Sequence, residues 1–359
     1  MINKKQKPAE KTRTNKIKLF YRKNKKKISI ALRIIISAGL IGYLIKTQFS
    51  DFSSIIDILR HISIPLLLLS ASTHVFGIWI TAVRWQALLG TQNVNLSVRY
   101  LTSTVLIGFF FNNFLPTSVG GDVYRAYDIK NKGKLPIGSS LSVIVVERFS
   151  GIISAVCYLI IALFLGFTAI GTQSIIIPII IFFVIVVIGA LLILHPSVLK
   201  IDKLINKIKF LSKIRESLTN VYHTFLSFKK YKLVLVKVLL FSFLLQFAVI
   251  LNYFFAARSL GIDLGLTAYI FIVPIVATIS MIPISLGGIG IRENTLVFIL
   301  ISMGVLNEEA AMCSLILFLM LIIIGAIGGI TYIVRPFLSK DSQEPKLEPK
   351  VENTKTKNN

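Results

Sequence analysis

Charge is scarce over most of this chain. Of its 56 Lys, Arg, Asp and Glu residues, 34 fall in three stretches, 1–27, 195–232 and 335–359, which together make up 90 of the 359 residues. The other 269 residues carry 22, roughly a third of the density usual in soluble domains. That excludes a water-soluble fold. Acid is scarcer still, with 16 Asp and Glu against 40 Lys and Arg. Cysteine is nearly missing: Cys157 and Cys313 each stand alone in an apolar run, with no CxxC and no histidine nearby. This excludes a disulfide framework and argues against a zinc site. Alternating strands are missing too. The apolar runs are continuous over about 20 residues, which excludes a β-barrel. What remains is apolar: 54% hydrophobic residues, 22 glycines and a mean hydropathy of +0.77. The expected fold is an all-α polytopic membrane protein.

The apolar segments are Ile28–Ile45, Ile64–Val83, Val98–Leu115, Ile137–Phe167, Ile175–Leu194, Leu233–Ala257, Leu264–Ile282, Ile291–Val305 and Ala310–Val334. The first is too long for a signal-peptide core and no A-x-A-like site follows it, so it reads as a retained anchor. Basic groups gather at 1–27, 125–134 and 195–232, whereas 48–61, 168–174, 258–263 and 306–309 are neutral or acidic. The positive-inside rule puts the first set in the cytoplasm and the second outside. Threading the chain through those sides predicts six full spans plus two re-entrant hairpins, at 98–125 and 264–305, with eight ordinary spans as the alternative. Both termini then face the cytoplasm. Five parts follow: a basic N-terminus (1–27), a transmembrane domain (28–335) with halves at 28–194 and 233–335, and a disordered tail (336–359). The halves are joined by 195–232, where Ser197–Phe228 reads as a basic amphipathic helix attracted to anionic lipid. A basic N-terminus abutting a membrane anchor also favours lipid contact over nucleic acid.

Both predicted hairpins break at the same motif. Pro116-Thr117-Ser118-Val119-Gly120-Gly121-Asp122-Val123-Tyr124-Arg125 aligns without gaps on Pro283-Ile284-Ser285-Leu286-Gly287-Gly288-Ile289-Gly290-Ile291-Arg292, at an offset of 167. The shared pattern is P-x-S-h-G-G-x-x-x-R. By the charge pattern one copy enters from the cytoplasm and the other from outside, as in inverted-repeat transporters. Two kinks that merely aid packing are the structural alternative. Non-helical backbone at membrane depth survives only within protein or beside water. A helix restarting after Gly-Gly offers free N–H groups to an anion. Arg125 and Arg292 should lie about one turn inside those helices, near one shared anion.

Acid and base groups inside the motif-bearing segments are Asp122, Glu147, Arg148, Arg292 and Glu293. Charge at that depth is paired or faces a cavity. Neighbours in sequence point about 100° apart on a helix, so each is expected to pair across helices. A structural ion network and a head-group site both remain open. Asn112, Asn113, Ser118 and Ser285 add hydrogen-bonding groups, or packing glue.

The run Phe109–Arg125, then Val146-Glu147-Arg148-Phe149-Ser150-Gly151, then Pro283–Glu293 resembles the transmembrane domain of lysylphosphatidylglycerol synthases, a flippase-like family. The resemblance covers about 28–335. It implies a bacterial or archaeal cytoplasmic membrane and handling of a lipid head group, with substrate-binding candidates Ser118, Gly120, Gly121, Asp122, Arg125, Glu147, Arg148, Ser285, Gly287, Gly288, Arg292 and Glu293. In bifunctional members this domain moves aminoacylated phosphatidylglycerol outward, while a soluble domain transfers lysine from tRNA. No segment here is long enough for that soluble domain, so no catalytic residue, metal or cofactor is expected. The expected function is transport of an anionic or aminoacylated phospholipid or a polyprenyl-phosphate lipid. A separately encoded lipid-modifying enzyme is the candidate partner. The rival readings are a lipid-modifying transferase and a scaffold for one.

Overall fold

The computed structural model describes residues 31–48, 52–114, 120–165, 228–280, 285 and 287–338. Among them the regular structure is entirely helical. We number the helices α1 (Ala31–Gln48), α2 (Phe52–Arg60), α3 (Ile64–Gly90), α4 (Val98–Phe114), α5 (Gly120–Lys132), α6 (Ile137–Phe164), α7 (Lys232–Ser259), α8 (Leu266–Ser280), α9 (Ile291–Ser302) and α10 (Asn307–Leu338). Five of them, α1, α3, α6, α7 and α10, are long and apolar enough to cross a membrane. The sixth expected span, 175–194, and the amphipathic segment up to residue 227 lie outside the described residues, as do the N-terminal 1–27 and the tail from 339.

Three boundaries differ from the hydropathy reading. Residues 48–61 are not all loop, since α2 occupies most of them. α3 does not end at Val83. It starts on Ile64-Pro65, where proline costs no hydrogen bond, and continues to Gly90, which puts Arg84 inside the helix. α10 runs through Arg335-Pro336 to Leu338, because a proline in the last turn leaves little helix downstream to break.

The 167-residue offset extends far beyond the motif. Adding it to α3, α4, α5 and α6 gives 231–257, 265–281, 287–299 and 304–331, which overlie α7, α8, α9 and α10 in turn. Packing obeys the same relation: α4 lies on α10 as α6 lies on α8, and the paired helices α3 and α7 lie on each other. α3 and α7 run antiparallel. The Ser63 N–H donates to Ser259 O at 2.8 Å, Ser70 Oγ donates to Asn252 O at 2.7 Å, and Arg84 Nη1 donates to Ser242 Oγ at 2.9 Å. Equivalent helices pointing opposite ways make the repeat inverted.

α4 and α5 also lie antiparallel. Gly121 meets Gly108 near their joined ends, and Asp128 meets Thr104 further out. The open end of this pair packs with Leu88, Leu89, Val94, Leu135 and Phe228 in one apolar core. α8 and α9 open toward the opposite end, with Ile262, Leu264, Ile301 and Met303 in a second core. Thus 91–97, 128–135, 228–232 and Arg335 share a basic end. The ends of α2 and α9 and the segment 258–266 share the other. This is the grouping that the charge pattern predicts.

Candidate functional site

Five ionised side chains meet among α3, α5 and α6. Glu147 on α6 is the centre. One oxygen accepts from Arg84 Nη2 at 2.7 Å and the other from Arg125 Nη2 at 2.6 Å. All three residues are buried. Arg125 also stands 3.7 Å from Asp122, one turn back on α5, and its guanidinium lies 4.1 Å above the Trp85 ring. Asp122 in turn accepts from Arg148 Nε at 2.8 Å and from its Nη2. Ser242 on α7 extends the network, accepting from Arg84 and bonding Ser150 at 2.9 Å. Glu147 and Arg148 therefore do pair across helices, as adjacent positions on one helix require. Arg84, Trp85 and Ser242 were missed in the sequence. Arg84 sat where hydropathy fell away, and only the capless Ala87-Leu88-Leu89 turn beyond it hinted that the helix continued.

The second repeat is built differently. Arg292 pairs with its own neighbour Glu293, donating from Nε at 2.9 Å and from Nη2, which corrects the expected cross-helix partner. The reason is local. Gly287, Gly288 and Gly290 take φ of 56°, 84° and 86°, a conformation that side chains disfavour. The chain turns there and α9 starts only at Ile291. Arg292 is thus the second residue of its helix rather than a turn inside, and Glu293 is the third. From there Glu293 reaches back to accept the Gly290 N–H at 2.5 Å, as an acid at this position does at a helix start. In the first repeat α5 already begins at Gly120, so Arg125 lies more than a turn inside.

The helix starts are less free for an outside anion than expected. Asn112 Oδ1 accepts the Gly121 N–H at 2.8 Å, and Asp122 occupies the first turn of α5. Glu293 plays that part on α9. Anion attraction must come from guanidinium groups instead. Arg125 and Arg292 do not share one site. Arg292 lies in the electrostatic reach of His74 and Tyr253, whereas Arg125 shares Glu147 with Arg84, beside Ser242. Ten residues of α3 or eleven of α7 separate those levels, about 15 Å at 1.5 Å per residue.

The two motif copies do approach one another, at Asn112. A Cβ on Gly287 would stand 3.0 Å from the carbonyl oxygen of Asn112, whose side chain holds Gly121. One asparagine therefore touches both motif copies. Gly288 packs instead on Ser280 of its own repeat. Ser285 is buried with no partner for its hydroxyl among the described residues, and Ser118 lies outside them. Asn113 donates to Leu321 O at 2.9 Å and joins α4 to α10.

A further polar group sits at the basic end. Asp128 accepts from Tyr100 Oη at 3.0 Å, Thr104 Oγ1 at 2.8 Å and Arg335 Nη2 at 3.1 Å. It ties α4, α5 and α10 together. Cys157 and Cys313 are free thiols. Among the described residues no three His, Cys, Asp or Glu side chains gather as a metal ion would need.

Comparison with known proteins bears on this arrangement directly. Residues 30–329 match the family described as Lysylphosphatidylglycerol synthase TM region. The chain belongs to that family. It is similar to the UPF0104 membrane protein PH1989 of Pyrococcus horikoshii, 28% identical over 296 residues, 76% of this chain and 87% of that protein. The UPF0104 membrane protein MJ1595 of Methanocaldococcus jannaschii is 26% identical over 101 residues, 28% of this chain and 30% of that protein. No solved structure matches the chain. The arginine cluster and both Gly-Gly pairs lie within the matched region. This is an integral, multi-pass member of the lysylphosphatidylglycerol synthase transmembrane family.

Proposed function

We propose that the chain is a flippase-like lipid transporter that moves a phosphate-bearing head group between leaflets. In this reading α4–α5 and α8–α9 are re-entrant hairpins from opposite faces of a bacterial or archaeal cytoplasmic membrane, with the basic end in the cytoplasm. The observation that carries it is that Asn112 touches both motif copies, Gly121 at the start of α5 and Gly287 in the turn before α9, near the buried Arg125–Glu147 pair. Irregular backbone and buried charge are both costly at such depth, and their meeting is the mark of a substrate path. The halves would rock about the α3–α7 contact, where equivalent helices of the two repeats pack on each other. Acyl chains would stay in the bilayer throughout. An anionic or aminoacylated phospholipid and a polyprenyl-phosphate lipid are the candidate cargoes, and a separately encoded lipid-modifying enzyme is the candidate partner that supplies or consumes them.

The test is reconstitution of the purified full chain into vesicles carrying a trace of head-group-labelled phosphatidylglycerol on both leaflets. A membrane-impermeant reductant then reports which label becomes accessible. The wild type should expose inner-leaflet label, and R125Q should abolish that exposure while R125K keeps part of it. If wild-type vesicles behave like protein-free ones for every phospholipid and polyprenyl phosphate tried, the proposal is wrong.

A further inference from the structure

The two repeats share a backbone plan but not a charge plan. In the first, Arg84, Arg125 and Arg148 face Asp122 and Glu147, which leaves one positive charge over. In the second, Arg292 and Glu293 cancel. The positions equivalent to Asp122, Glu147 and Arg148 at the 167 offset are Ile289, Ser314 and Leu315. We propose, building on the transport reading above, that only the first repeat binds cargo. The cargo is one phospholipid with a single net negative charge, and it loads from the leaflet at the basic end along the outer face of α5 to Arg148.

The burial pattern supports this. The side chains of Arg84, Arg125, Asp122 and Glu147 are at most 10% exposed, whereas that of Arg148 is 47% exposed. Arg148 uses its Nε and Nη2 on Asp122, and Nη1 takes no part in that pair. It sits eleven residues into α6, about 16 Å from the basic end of a helix roughly 42 Å long. With a hydrocarbon layer of about 30 Å, that is about 10 Å below its boundary. An exposed guanidinium at that depth needs water or an anion against it. Behind it, the buried Nε atoms of Arg84 and Arg125 have no hydrogen-bond partner among the described residues. The donor capacity of the cluster therefore exceeds what its two carboxylates take up.

A track leads there. Val123, Tyr127 and Lys130 are the exposed positions of α5 on one face, at helical spacing. Val123 adjoins Asp122, the partner of Arg148, and Lys130 lies seven residues nearer the basic end, about 10 Å along the helix. A phosphodiester held first by Lys130 could pass Tyr127 to Arg148 with its acyl chains in lipid throughout. The corresponding positions in the second repeat are Gly290, Asn294 and Val297, and Val297 is buried. No such track exists there among the described residues. The single surplus charge fits a phosphatidylglycerol-like head group and disfavours one that also carries an ammonium.

Native mass spectrometry of the full chain in detergent tests this without requiring transport. Phosphatidylglycerol and phosphatidylcholine with identical chains are offered together. The wild type should retain one phosphatidylglycerol in preference to phosphatidylcholine. R148Q should lose that preference at least tenfold, K130Q should weaken it severalfold, and R258Q, which removes an arginine paired with the exposed Asp263 at the far end of the second half, should leave it unchanged. Inorganic phosphate in tenfold excess over lipid should not displace the bound molecule. K130Q alters an exposed side chain and keeps the test valid if R148Q does not fold. Equal loss in R258Q, retention of preference in both R148Q and K130Q, two equivalent bound lipids, or displacement by phosphate would each overturn the inference. If the preference is found but the vesicle assay shows no movement, the transport reading fails alone. Movement without head-group preference would instead leave transport standing and remove this inference.

Discussion

Neutralising Glu147 should damage the protein severely for a change of one atom. The perturbation is E147Q, which swaps one oxygen for NH2 and keeps the shape. In the native cluster the two carboxylate oxygens each hold a guanidinium, at 2.7 Å and 2.6 Å, in a site where the carboxylate is 3% exposed. The amide keeps one acceptor and turns a donor toward the other arginine. Two buried guanidiniums then face each other with one carboxylate, Asp122, left to the whole cluster. Removing one partner of a buried ion pair costs about 3–5 kcal/mol. For a chain of this size that corresponds to a midpoint roughly 4–7 °C lower. The assay is thermal unfolding in detergent, followed by loss of the monodisperse peak on size exclusion. Adding R84Q to E147Q restores the charge balance and should recover about 2 kcal/mol, since contacting residues couple by that order. A shift below about 2 °C for E147Q would refute the reasoning. It would mean that water already screens the cluster.

E293Q is expected to cost a similar amount, about 3 kcal/mol, because Arg292 then keeps its burial and loses its counter-ion; the same unfolding assay reads it. G328A should destabilise by about 1–3 kcal/mol, since the new methyl would stand 2.0 Å from the carbonyl oxygen of Leu106 and force α10 off α4, whereas G39A, with nothing within 4 Å, should be neutral or slightly stabilising. In a background with Cys157 and Cys313 replaced by alanine, single cysteines at Lys132 and Leu306 should react with impermeant thiol reagents from opposite sides of the membrane. Labelling from one side would refute the two-ended arrangement.

The helices were legible because lipid imposes one rule everywhere: long apolar runs without charge become spans. Their order, the basic and acidic ends and the site of the internal repeat all followed from residues visible along the chain. The same reliance on hydropathy hid Arg84. Its charge ended the apolar window at Val83, yet the backbone hydrogen bonds of α3 continue to Gly90 regardless of side-chain polarity. Pairing was legible only in part. Glu147 and Arg148 had to diverge because both sit in mid-helix. Arg292 and Glu293 sit at a helix start, where the Gly-rich turn frees the acid to fold back on the Gly290 N–H and meet its neighbour. No spacing rule would have joined Arg84 to Glu147, which are 63 residues apart.

Inverted symmetry in the backbone places no requirement on the side chains to match, and here the mismatch is informative. Arg125 and Arg292 occupy equivalent positions, but one is neutralised by a carboxylate from another helix and the other by the next residue. A counter-ion on another helix makes the charge balance depend on how α5, α6 and α3 sit against one another. Any rocking that parts them would loosen Arg84 and Arg125 from Glu147 together. A counter-ion on the adjacent residue moves with its arginine and is indifferent to helix motion. The first repeat is therefore the half whose electrostatics can respond to the conformational cycle, and the second supplies a fixed frame. Moving the acid should reverse those roles: E293Q combined with S314E places the carboxylate of the second repeat at the position equivalent to Glu147. If helix motion and charge are linked as argued, that double variant should recover the stability lost in E293Q.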